Sequence, residues 1–160
     1  MSELITSKRW ALVLLLAGLS AFGPLSVDMY LPSMPTIARE FGTTAATVQY
    51  TMVCFMIGYA SGQLTWGPIT DRFGRKPPLY ISLSLYVLFC CGCALSAGIG
   101  WLIGLRAAQA LCACAGGVVA RAIVRDLFSG VEAARVYALQ MMAVALTPMF
   151  APIEIGRAHV

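Results

Sequence analysis

The stretch GPITDRFGRKPP, residues 67–78, decides how the chain folds. It places charged residues beside glycines and prolines, between two long apolar runs. The runs are long and apolar enough to cross a bilayer, whereas the stretch itself is too polar. We therefore interpret it as a tight cytoplasmic turn between antiparallel membrane spans. In that turn Gly67 and Gly74 permit close approach and positive φ, and Pro77 starts the next helix.

The composition of the 160 residues agrees with this interpretation. Hydrophobic residues make up 59% and charged residues 11%, and the mean hydropathy is +0.81. These values are typical of a membrane protein. The net charge of +4 is not concentrated in a run, so we predict no binding to nucleic acid.

Five apolar runs are long enough to cross the bilayer, because about 20 helical residues span ~30 Å of hydrocarbon. A helix satisfies its own backbone hydrogen bonds in lipid, so we predict an all-α integral membrane fold. Thr43 or Thr44 is expected to cap the second span. The first run resembles a secretory signal, but it continues too far and is expected to remain uncleaved. The predicted spans are residues 10–31, 45–66, 79–97, 101–124 and 133–153.

Basic residues between the spans predict the orientation of the chain. With the N-terminus in the cytoplasm, only Arg39 falls in an outside loop, where Glu40 neighbours it. The other basic residues considered then lie on or near the cytoplasmic side. These are Lys8, Arg9, Arg72, Arg75, Lys76, Arg121, Arg125 and Arg135.

The sequence indicates neither catalysis nor a metal site. His159 is the sole histidine, and no nucleophile elbow or phosphate loop is present. We predict no enzyme activity, no metal and no cofactor. We interpret the cysteines as residues that pack between helices, because no loop Cys-x-x-Cys completes a site. They are Cys54, Cys90, Cys91, Cys93, Cys112 and Cys114.

The stretch GQLTWGPITDRFGRKP, residues 62–77, resembles the signature loop of major facilitator superfamily transporters. DMYLPSMPTIAREF, residues 28–41, resembles the Bcr/CflA group of bicyclomycin and chloramphenicol exporters. The resemblance implies twelve helices in two six-helix bundles, with substrate bound between them. It makes the loop a latch for one alternating-access state, whereas the residues alone leave an ordinary positive-inside loop open. The positions that fill the loop pattern are Gly67, Asp71, Arg72, Gly74, Arg75 and Lys76.

Two further motifs are similar to those of this family. In the fourth span, Arg106 and Gln109 match a pattern of Arg, two residues, Gln and Gly, with Ala110 in place of the glycine. In the fifth span, LTPMFAPI resembles the antiporter motif. There Pro152 matches, Ala151 stands where glycine is usual, and the paired glycines that should follow are absent.

Two charges fall inside the predicted spans, both in the outer half of the membrane. Asp28 lies near the outer end of the first span, and Arg106 lies about 9 Å inward from the outer end of the fourth. Each costs ~2.5–3.5 kcal/mol on insertion, so each should face a polar cavity or a partner. We expect Asp28 to bind and release a proton and Arg106 to set its affinity. The alternatives are an interfacial Asp28 at a helix end, and a snorkelling or structurally paired Arg106.

The predicted function is proton-coupled efflux of drugs or other small amphiphiles across the bacterial inner membrane. The expected partners are protons, a drug-like substrate, the lipid bilayer and a missing C-terminal transporter half. A facilitator-fold metabolite carrier and a non-transporting five-span structural or signalling protein are the alternatives. Residues that could line the pocket are Tyr30, Gln49, Tyr50, Tyr59, Gln109 and Gln140.

The last seven residues, EIGRAHV at 154–160, are predicted to be foreign to the protein. They place Glu154 and Arg157 where another apolar turn belongs, and such charges are costly in a span. The nucleotides ATCGGAAGAGCACACGTCTGA of a common sequencing adapter translate as Ile-Gly-Arg-Ala-His-Val-stop. We therefore expect residues 1–153 to be a partial N-terminal bundle. Reamplification of the source DNA tests this, since a natural stop codon after Val160 would contradict it.

Overall fold

The computed structural model describes the backbone of residues 2–158 and the side-chain surroundings of residues 10–148. Within this range the chain is helical and contains no strand. The predicted all-α fold class is therefore confirmed. The helices are α1 (Ser2–Asp28), α2 (Met34–Glu40), α3 (Ala45–Phe73), α4 (Lys76–Ala94), α5 (Ile99–Leu127) and α6 (Gly130–Ala158).

The connection between the first two spans is more structured than predicted. Residues 32–44 were expected to form a loop, but a 3-10 turn (Leu31–Ser33) and α2 occupy most of it. Each begins with a proline in its first two positions, where the missing N–H leaves no bond unmade. Thr44 caps α3 as expected, because its hydroxyl accepts a hydrogen bond from the Thr47 amide at 3.2 Å.

The predicted turn at residues 67–78 is shorter in the structure. α3 continues to Phe73, because the helical hydrogen bonds extend beyond the apolar residues from which the span was predicted. Gly74 has φ +84°, as predicted, and Pro77 lies in the first turn of α4. The expectation for Gly67 was wrong: it lies inside α3, and no atom within 4 Å would meet a Cβ placed there.

Side-chain contacts give the directions of the long helices. α3 and α5 run parallel, since Gly58 packs on Ala107 and Gly62 on Leu111. α4 runs antiparallel to α5, since hydrogen bonds join Arg75 to Asp126 and Gln109 to Cys90. α1 runs parallel to α6, with Val13 and Leu16 near Val136 and Asp28 near Thr147. Successive long helices therefore run in opposite directions through the bundle. The short α2 is left out of this alternation.

Glycines bring α3 and α5 into backbone contact. A Cβ on Gly58 would collide with the carbonyl oxygen of Ala107, and one on Gly62 with Cys114 Sγ and the carbonyl oxygen of Leu111. Small residues permit this approach, which is the usual basis of helix association in lipid. Gly58 and Gly62 are therefore the positions at which α3 packs directly on the backbone of α5.

Three segments of the described chain are long and apolar enough to cross a membrane by length and composition. They are Trp10–Glu40, Lys76–Ala94 and Ile99–Leu127. α3 and α6 have 29 residues each, and α3 is less apolar because it carries glutamines at positions 49 and 63. Because α3 lies alongside α5 and α6 alongside α1, a bilayer crossed by α1 and α5 is crossed by these helices too.

Candidate functional site

The turn between α3 and α4 carries a network centred on Arg75. Its Nη1 donates to Asp71 Oδ1 at 2.7 Å and to Thr70 Oγ1 at 3.2 Å, and its Nε donates to Asp126 Oδ2 at 3.0 Å. These bonds tie α3, the turn and the C-terminal end of α5 together. We call these four residues the Arg75 network.

The electrostatics of the Arg75 network favour its charged form. The hydrogen bond with Asp71 is the main cause that raises the pKa of Arg75, and Asp126 adds to it. Asp71 and Asp126 are more than 40% exposed, so solvent screens both pairs. Exposed pairs of this kind contribute ~0–1 kcal/mol each, which makes them easy to break and remake.

The remaining predicted loop residues have different surroundings. Lys76 and Arg72 are exposed, and the Arg72 guanidinium lies 5.6 Å from the centre of the Phe73 ring. Asp71 pairs with Arg75, and the N-terminal end of α4 has no side-chain cap. Gly67 lines a cavity of about 250 Å³ with Thr70, Asp71 and Arg75.

Arg106, in α5, lies in the interior and contacts two aromatic rings. Its guanidinium carbon is 3.8 Å from the Tyr30 ring centre and 4.7 Å from that of Phe55. Nη1 donates to Gln109 Oε1 at 2.9 Å, and the Gln109 amide donates to Cys90 Sγ at 2.8 Å. The predicted pair Arg106 and Gln109 is therefore a contact in space as well as a motif.

Asp28, at the end of α1, accepts a hydrogen bond from Thr147 of α6 at 2.7 Å. It is half-buried and lines a largely apolar cavity of about 270 Å³ with Phe55 and Tyr59. Among residues 10–148, Asp28 and Arg106 form no salt bridge with each other. Phe55 touches both sites, because the same residue lines the Asp28 cavity and stacks on Arg106.

The remaining predictions for the interior have mixed outcomes. Ala151 and Pro152 lie outside the residues whose side chains are described, as do Glu154 and Arg157. Among the described residues no group of three metal-binding side chains occurs, and all six cysteines are free. Cys112 and Cys114 are buried between helices as expected, whereas Cys91 is exposed.

Two residues that contact the candidate site were not predicted from the sequence. Asp126 follows Arg125 in a short polar stretch with no motif of its own, although it completes the Arg75 network. Thr147 stands alone in an apolar run, where a hydroxyl bonded to the preceding turn is unremarkable. Its contact with Asp28 depends on the pairing of α1 with α6 and has no local sequence signal.

Comparison with known proteins identifies the family. Residues 10–156 match the Major Facilitator Superfamily. The chain therefore belongs to this family of membrane transporters, and the expectation that it is not an enzyme is confirmed. Relatives named for chloramphenicol and bicyclomycin resistance support its resemblance to the Bcr/CflA group.

Three relatives illustrate the similarity. The chain is 43% identical over 149 residues to an uncharacterized MFS-type transporter, YdgK, of Bacillus subtilis, with 93% of this chain and 37% of the relative covered. It is 38% identical to a chloramphenicol resistance protein of Pseudomonas aeruginosa, covering 89% and 34%. It is 36% identical to a bicyclomycin resistance protein homolog of Haemophilus influenzae, covering 88% and 35%. The chain spans about a third of the length of these relatives.

Proposed function

We propose that the chain is the N-terminal part of a proton-coupled exporter of drugs or other small amphiphilic molecules. The observation that carries this proposal is the position of Asp28. Asp28 is an acidic residue at the C-terminal end of α1, and it faces an apolar cavity between α1 and α3. A carboxylate there can exchange a proton with water, and an apolar cavity suits an amphiphilic ligand.

In the proposed cycle, protonation of Asp28 competes with binding of the drug. Thr147 donates to the ionised carboxylate, so loss of a proton is matched by a hydrogen bond from α6. Arg106, which contacts the Phe55 ring that also lines the Asp28 cavity, is proposed to set the proton affinity of the site. Gln109 orients the guanidinium through its 2.9 Å hydrogen bond.

The Arg75 network is proposed to stabilise one alternating-access state. Its bonds join α3, the turn and α5 across a helix boundary, so a relative movement of these helices must break them. Each bond is weak and solvated, which suits a contact that forms and breaks in every cycle. The loop then acts on the populations of two states rather than on contact with the drug.

The proposed location is the bacterial inner membrane, with the N-terminus in the cytoplasm. Support comes from charge: Arg72, Lys76, Arg121 and Arg125 lie at the end of the bundle that carries the Arg75 network, whereas Arg39 lies at the other end. The helices of a C-terminal half are proposed to complete the drug site from the opposite side.

The proposal is tested in a complete protein that contains this chain, reconstituted in vesicles with an interior pH dye. Asp28→Asn should abolish drug-driven proton release, because an amide cannot release a proton. Glu132→Gln, an exposed carboxylate in the first turn of α6, is the matched control and should release protons normally. Normal drug transport against a gradient by Asp28→Asn would refute the proton-site role. Transport of a metabolite without proton release would favour the facilitator-fold carrier.

A further inference from the structure

Arg106 has hydrogen-bonding groups that the protein does not use. Nη1 is bonded to Gln109, but Nε and Nη2 are buried and have no partner among the described residues. The residue is 5% exposed, and within residues 10–148 it forms no salt bridge. A buried charged donor without an acceptor is more costly than a neutral one. An acceptor from outside the described protein would therefore stabilise this site.

Space for such an acceptor lies beside the guanidinium. Arg106, Gln109 and Tyr30 line a cavity of about 420 Å³ between α4, α5 and the segment that contains α2. Cys90 and Cys93 also line it. The same three residues border a second cavity of about 330 Å³ between α1 and α4. Ligand pockets are ~300–1,000 Å³, so the first cavity, here called the Arg106 cavity, can hold a small organic group.

The aromatic neighbours of Arg106 leave two of its donors without a partner. The ring centres of Tyr30 and Phe55 lie 3.8 Å and 4.7 Å from the guanidinium carbon, and neither side chain accepts a hydrogen bond from Nε or Nη2. In arginine the Nε and Nη2 hydrogens point to the same edge, and that edge matches two oxygens of a carboxylate or phosphate.

We propose that the Arg106 cavity binds a carboxylate or phosphate group, which accepts hydrogen bonds from Nε and Nη2 of Arg106. The anion offsets a buried charge that has no described counter-ion. The group belongs either to a soluble anion or to a phospholipid headgroup, since the cavity lies at the end of the bundle that carries α2. Glu40 also lines the cavity, but it is exposed and its charge is screened by solvent.

The test measures occupancy of the cavity through a thiol that lines it. The full chain is purified in dodecyl maltoside with Cys93 as its only cysteine, and the rate of labelling by N-ethylmaleimide is measured while benzoate is added. Benzamide, which has the same shape without the charge, is the matched ligand. A chain that keeps only Cys91, which is exposed and does not line the cavity, is the matched protein control.

Benzoate should slow Cys93 labelling about threefold at roughly twice its Kd, because the free fraction is then about one third. Benzamide should have no effect, and Cys91 labelling should not change. Arg106→Gln should remove the protection, and Arg106→Lys, which keeps the charge but loses the two-donor edge, should weaken it. Equal protection by benzoate and benzamide on the chain that keeps Arg106 would overturn the proposal without relying on a substitution of Arg106.

A lipid arm separates the two sources of the anion. In phosphatidylglycerol nanodiscs without benzoate, slow Cys93 labelling that depends on Arg106 would identify the headgroup as the ligand. Protection by benzoate in detergent, together with fast labelling in nanodiscs, would identify a soluble anion. Absence of Arg106-dependent protection in both arms would refute the site. No step measures transport or proton release, so this result is independent of the proposed export cycle.

Discussion

Arg75 and Arg106 are both arginines at motif positions, yet their surroundings are opposite. Arg75 lies at a solvated end of the bundle and has two carboxylates within 3.0 Å. Arg106 is 5% exposed and is surrounded by rings, an amide and thiol groups. A charge whose partners are solvated can separate from them at little cost in free energy. A buried charge without a partner is strongly stabilised when an anion binds beside it. The first suits a switch and the second a binding site.

Gly58→Ala should have the largest effect on the stability of the chain. The change should alter the surroundings of Arg106 more than those of Arg75. The new Cβ would collide with the carbonyl oxygen of Ala107, next to Arg106. Overpacking of this kind costs ~1–3 kcal/mol, so the SDS-induced unfolding transition should move to lower SDS. Gly104→Ala is the matched control, because a Cβ there meets no atom within 4 Å. Equal shifts for both variants would contradict the backbone contact between α3 and α5.

Arg106→Ala should change how drug binding depends on pH in the complete protein. Arg106 is the buried cation proposed to set the proton affinity of the site, so its loss should alter the competition between the proton and the drug. The midpoint of the pH dependence of drug binding is then expected to move. Arg75→Ala, the matched arginine, should leave the midpoint in place. A midpoint that moves equally in both variants would remove the distinction between the two arginines.

Arg75→Ala should lower turnover severalfold while drug affinity stays nearly constant. The Arg75 network joins helices that must separate, so its loss changes the populations of the two states. Transport rate and equilibrium drug binding are measured on the same reconstituted protein. Arg121→Ala, an exposed arginine at the same end, is the control. Unchanged transport in Arg75→Ala would refute the latch. The loop would then only set the orientation of the chain in the membrane.

Salt should produce the smallest difference. Because the Debye length falls to about 3 Å at 1 M salt, the exposed pairs of Arg75 should lose most of their ~0–1 kcal/mol. The stability difference between the unchanged chain and Arg75→Ala should therefore shrink in 1 M sodium chloride. The difference for Arg106→Ala should persist, since Arg106 forms no exposed ion pair among residues 10–148. A difference for Arg106→Ala that shrinks as much as the one for Arg75→Ala would contradict this contrast.

Local sequence features were sufficient for the number and type of the long helices. Apolar runs of about 20 residues, the Thr44 cap, the positive φ of Gly74 and the proline at the start of α4 all act over a few neighbouring residues. The ends of the helices were less predictable. α3 extends to Phe73 because hydrogen bonds and packing against α5 continue beyond the apolar segment.

The sequence by itself determined a helical membrane fold, the Asp-Arg…Gly-Arg-Lys loop and the presence of charged side chains within apolar spans. Only the tertiary structure decided which charges have partners. Asp28 faces Thr147 rather than Arg106, and Arg75 reaches Asp126 on α5. These pairings join residues 51 and 119 positions apart, so they depend on which helix faces pack together. The sequence gives each residue its charge directly, whereas the packing of the helices determines which partner that charge contacts.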